Sequence, residues 1–266
     1  MLLTVSALAL AAMDPEHMHG HSPQLGKLTF ETTCSPAAHA LFHQGVAWLH
    51  SFEYQRAEQS FSEAAAADPR CGIADWGVAM SYYHPLWDGP TADELEKGKS
   101  AIETAKAAGA KSQRERDYVA ALDVFYRDFD RLDLKTRAFA YSDAMGKLHE
   151  RYPRDDEAAV FYALSLIAAG KMDGDPAFAR QKQAGTILSQ VLAKKPGPPR
   201  RRAFPDPRLR LPRSGRAGPA RRASIREHRS GFGACAAHAI AHLYAARPVG
   251  GGDQLQPSFR GVRDRL

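Results

Sequence analysis

The chain has 266 residues, of which 44% are hydrophobic and 25% charged, a composition that supports a sizeable core and excludes collagen-like and membrane-bundle architectures. Its net charge of +6 is unevenly spread. Residues 1–196 carry 21 Lys+Arg against 26 Asp+Glu, whereas residues 197–266 carry 15 Arg, no Lys, only four acidic residues and eight of the 17 prolines, so two compositions meet near Pro196.

Residues 1–12 form a short apolar run, too short to span a bilayer, with small residues at Ala9 and Ala11 where a signal peptidase cuts. This segment reads as a secretory signal, and the mature chain is expected to be exported, periplasmic or extracellular, with no integral membrane segment. Residues 13–35 form a flexible His-rich segment and lead-in. Within it His17, His19 and His21, together with Met13 and Met18, are soft and borderline donors of the kind that copper or nickel takes.

Residues 36–196 read as paired helices. In the clearest unit, from Pro36 to Pro69, Gly45 and Trp48 lie in a first helix and Ala57, Phe61 and Ala64 in a second, which Pro69 stops. Small residues at Gly45 and Ala57 let two antiparallel helices cross closely, and Trp48 and Phe61 are expected to fill the gap between them. A second unit repeats the pattern 34 residues on, with Trp76 in its first helix and Ala79 and Tyr82 at the places of Gly45 and Trp48. Its loop, His84-Pro85-Leu86-Trp87-Asp88-Gly89-Pro90, is an insertion of about seven residues, because Ile102 and Ala105 stand 41 residues after Phe61 and Ala64. Further pairs are expected over 113–128 with 132–151 and over 156–169 with 178–195, the last repeating the Ala-x-x-x-apolar-x-x-apolar spacing at Ala184, Leu188, Val191 and Pro196. The prediction is an all-α fold, a right-handed α-solenoid of about four helix pairs.

The 34-residue spacing, with Gly-x-x-aromatic in the first helix and Ala-x-x-x-Phe in the second, resembles a tetratricopeptide repeat, although Leu41 and Gln44 stand where that family usually has Trp and Leu. Together with Phe30 to Pro36, Leu49-His50-Ser51-Phe52, Trp76 to Met80 and His84-Pro85-Leu86-Trp87, it is similar to a family of bacterial exported tetratricopeptide-repeat proteins. The resemblance covers residues 28–196. It implies a non-enzymatic scaffold that binds a peptide or protein partner in a concave groove lined by the first helices, with no cofactor, no nucleic acid and no reaction. The alternative is a periplasmic copper- or nickel-handling protein that uses the N-terminal His/Met segment.

Cys34 precedes the first helix of the first pair and Cys71 opens that of the second. First helices of adjacent pairs run in the same direction, so the two cysteines fall at one end of the stack, where export permits a disulfide. Gly98-Lys99-Ser100 lacks the upstream glycine of a phosphate-binding loop, since Asp93 stands there. The sequence carries no His-Glu-x-x-His, Gly-x-Ser-x-Gly or Cys-x-x-Cys motif. His39, His43 and His50 fall on or near one face of the first helix and are expected to be surface or groove histidines. Residues 197–266 read as an Arg/Pro-rich disordered tail translated out of frame, because codons for Arg247 to Leu255 read one nucleotide later permit Gly-Arg-Trp-Glu-Glu-Ala-Ile-Ser, the opening of a repeat's second helix.

Overall fold

The computed structural model describes residues 30–194, which form eight α-helices and no strand. They are α1 (Pro36–His50), α2 (Tyr54–Ala67), α3 (Gly72–Ser81), α4 (Ala92–Ala108), α5 (Gln113–Tyr126), α6 (Leu134–Arg151), α7 (Asp156–Gly170) and α8 (Ala179–Lys194). Residues 1–12, read above as a secretory signal, the His-rich segment with His17, His19 and His21, and the tail 197–266 lie outside the described residues. Among the described residues no helix is long and apolar enough to cross a membrane.

Helix starts follow from local chemistry, because each first turn leaves orphan amides that a side-chain oxygen can satisfy. Ser35 caps Ala38 ahead of Pro36 at the first helical position, and Asp155 takes the Glu157 and Ala158 amides. Thr91 with Glu94, and Ser112 with Glu115, form reciprocal capping boxes. Consecutive helices pack against each other, and α1, α3 and α5 stand side by side as the first members of their pairs. This is an all-α helical-repeat fold.

The close crossing of the first pair depends on Phe61, which is fully buried. A Cβ at Gly45 would sit 2.7 Å from its ring, and one at Gly77 would overlap the same ring. Phe61 is therefore gripped by two glycines, on α1 and α3. Trp48 is half-buried and packed against the same core, with the Arg56 guanidinium of α2 4.8 Å above its ring. The glycines bring the helices close around Phe61, which also meets the Phe42 ring at 5.4 Å. Ala57, Ala64, Trp76 and Ala79 are buried, Pro69 is exposed, and Tyr82 lies at the surface edge donating to Glu58 over 2.6 Å. The Cys34 and Cys71 sulfurs are at bonding distance with Cα atoms 5.0 Å apart, and the Ser35 amide donates to Asp68 beside them.

The fourth pair does not simply extend the row. Stacked first helices stand about 8–10 Å from their neighbours, which would separate the first and fourth by about 25–30 Å. Yet His50 on α1 makes a 2.7 Å hydrogen bond to Glu157 on α7, and Phe161 stacks 5.1 Å from His50 and meets Trp76 of α3 edge-on at 5.3 Å. Helix α7 thus folds back across the inner sides of α1 and α3. The lead-in fills what remains of that side: Phe30 packs 5.0 Å from both Phe42 and Tyr118 and 5.7 Å from Trp76. Arg114 lies over the Phe30 and Tyr118 rings and binds Asp155. His50 is consequently a core residue and not a surface or groove histidine, because the inward turn of α7 brings Glu157 onto it.

Candidate functional site

With the inner sides of the first helices filled by the chain's own Phe30 and Phe161, the surface that stands out is the edge where those helices end. The connections 51–53, 82–91 and 171–178 follow α1, α3 and α7. Three non-glycine residues in them hold left-handed backbone: Phe52 at φ 60°, His84 at φ 45° and Phe178 at φ 53°. For a residue with a Cβ that conformation costs about 1–2 kcal/mol, and such strain persists where the surroundings over-determine it.

The reason at Phe52 is visible in the backbone. The Glu53 amide donates to the Trp48 carbonyl and the Phe52 amide to Leu49, the Schellman closure that usually places glycine where Phe52 stands. The ring this aims outward reaches Trp87 at 5.3 Å and Tyr54 at 6.4 Å. Tyr54 in turn meets Trp87 at 5.9 Å and His84 at 4.4 Å. Two of the three strained residues, Phe52 and His84, therefore feed one cluster with Tyr54 and Trp87. Trp87 is 47% exposed, and among the described residues the only other exposed large apolar side chain is Leu132.

The cluster is held from beneath. Connection 82–91 is ten residues against three for 51–53, and the difference is the insertion that the repeat spacing predicts. Lys171, just after α7, donates to the Leu86 and Trp87 carbonyls at 3.1 and 2.7 Å, and burial holds its ammonium below its ordinary value. Gly89 lies against Leu134 of α6. His84 faces Glu94 at 3.8 Å. Burial alone would raise the Glu94 carboxyl, but the Thr91 backbone and hydroxyl bonds and the nearby His84 bring it below its usual range. The Tyr54 hydroxyl is buried without a hydrogen-bond partner among the described residues, and burial pushes it far up, so it contributes as a ring and not as an acid. The arrangement offers aromatic faces backed by a rigid floor, which suits recognition more than proton transfer.

Elsewhere an open cavity of about 190 Å³ lies between α5 and α6, lined by alanines and Leu148 with Lys147 and the Asp117–Arg151 ion pair at 2.8 Å. No group of three or more metal-ligating side chains occurs among the described residues. Gly98 lies in the middle of α4, against the Tyr126 ring, which accounts for that glycine by packing. The sequence motifs included Phe52 and Trp87 without giving them a role. The usable signals were an aromatic at a helix-ending position and a tryptophan inside an insertion. Set against known proteins, the chain matches no family model, no curated protein and no solved structure.

Proposed function

We propose that this chain is a non-enzymatic scaffold of tetratricopeptide type that binds a peptide or protein partner, with Phe52, Tyr54, His84 and Trp87 as the docking edge. The observation that carries the reading is the half-exposed Trp87 ring, oriented by neighbours that two strained backbone positions hold in place. An exposed tryptophan ring seated on half-buried aromatic neighbours supplies large contact area at low entropic cost, as binding hot spots require. Because Phe30 and Phe161 occupy the inner sides of the first helices, the partner meets the edge and not an open groove along them. The same reading places the protein outside the cytoplasm, periplasmic or extracellular, a placement supported by the Cys34 and Cys71 pair.

Selection of peptides from a displayed random library against the full chain tests this. Enriched peptides should bind with a change in tryptophan fluorescence and lose at least about tenfold in affinity in Trp87→Ala, a hot-spot loss of ~1.4 kcal/mol or more, while the circular dichroism spectrum stays unchanged. Peptides that bind Trp87→Ala and Phe52→Ala as well as the parent would refute the edge as the docking surface.

A further inference from the structure

We propose that His39 and His43 of α1 form a divalent-metal site that takes nickel or copper, separate from the peptide-binding edge. The two residues stand one helical turn apart, the spacing that puts side chains over each other on one face. Their ring centroids are 4.0 Å apart, so the two imidazoles lie side by side on one face of the helix. Both rings are half-buried, which restricts their motion and lowers the ordering cost of ligation.

The second ring is also prepared for metal. His43 Nε2 lies 2.7 Å from the Phe30 carbonyl oxygen, and since a carbonyl only accepts, Nε2 donates; in the neutral tautomer this leaves the lone pair on Nδ1. Donation of the second ring N–H to a backbone carbonyl is the outer contact that ligating histidines characteristically make, because it fixes the tautomer and raises the basicity of the ligating nitrogen. No hydrogen bond engages the His39 ring nitrogens among the described residues. Two imidazoles with open positions for water suit Ni²⁺ or Cu²⁺, whose affinity for nitrogen donors is high in the divalent series, and do not suit Mg²⁺.

The His17, His19 and His21 segment is a competing source of the same donors, so the test removes it first. The full chain with all three changed to Gln is titrated with NiCl₂ by calorimetry at pH 7.5. The expected result is one reversible Ni²⁺ per chain, released by a chelator, absent with MgCl₂, and weakened at least about tenfold by adding His39→Ala. Bound Ni²⁺ should also raise the melting temperature of the parent and not of His39→Ala. His39 is only half-buried and its ring makes no hydrogen bond among the described residues, so the metal-free melting curve of His39→Ala should match the parent. Failure of the triple-Gln chain to bind Ni²⁺, or binding that His39→Ala leaves unchanged, would overturn the proposal.

Discussion

Gly77→Ala sets two physical effects against each other. In a helix interior alanine is favoured over glycine by about 1 kcal/mol, so a reading based on propensity predicts stabilisation. The structure predicts the reverse, because the added methyl would overlap the Phe61 ring. Overpacking a tight core typically costs about 1–3 kcal/mol, and relief is restricted here because Gly45 crowds the same ring, where a Cβ position would stand only 2.7 Å from it. The clash therefore belongs at or above the upper end, and the net expected loss is about 2 kcal/mol after the propensity gain is subtracted. At about 2–4 °C per kcal/mol for a domain of this size, that is a fall of about 4–8 °C in melting temperature. Differential scanning calorimetry measures it directly. Replacing Phe61 by Leu in the Gly77→Ala background should return part of the loss, giving a favourable coupling energy in a double-mutant cycle. A Gly77→Ala protein that melts at or above the parent temperature would refute the account of Phe61 as the residue that sets the α1, α2 and α3 crossing.

Burial raises the Asp75 carboxyl to about 6 from its ordinary value of 3.8. A raised folded value means the folded state holds the proton more tightly, so this stability is present below about pH 4 and is lost as pH rises through 6. Asp75→Asn should then be more stable than the parent at pH 7.5 by about 1–2 kcal/mol, with the difference vanishing near pH 4, as followed by urea unfolding; equal stability across that range would contradict it. Cys34→Ser or Cys71→Ser opens a 37-residue loop and should cost up to about 3–4 kcal/mol on the chain-entropy account. Non-reducing peptide mapping should recover the linked pair from protein made in an oxidising compartment, and free thiols at both positions would exclude the bridge. Phe52→Gly exchanges lost ring contacts, about 0.5–1.5 kcal/mol, for relief of about 1–2 kcal/mol of backbone strain. Its melting temperature should stay within a few degrees of the parent while affinity for selected peptides falls, and a large loss of stability would mean that the strain is not what Phe52 contributes.

Short-range signals in the sequence were sufficient for the helices and their pairing. Ser35 with Pro36, Thr91 with Glu94 and Ser112 with Glu115 are capping signals within three residues, and the 34-residue recurrence of small and aromatic positions pairs one helix with the next. The insertion after α3 and the shared end of the Cys34 and Cys71 positions follow from the same counting. Even the burial of α7 had a local sign, since Asp156–Gly170 is apolar on nearly every face after its first turn, and a helix apolar all round is enclosed.

What encloses it was a tertiary matter. The partner of His50 stands 107 residues away at Glu157, and no periodicity within one repeat says that the fourth pair turns inward to meet the first. That turn decides that the inner sides of α1 and α3 become core around Phe30, Trp76 and Phe161, and it brings Lys171 beneath the Trp87 loop. Repeat spacing prescribes only neighbour contacts, each made within a few tens of residues. The placement of α7 is set by burying its whole circumference at once, which only the folded chain can satisfy.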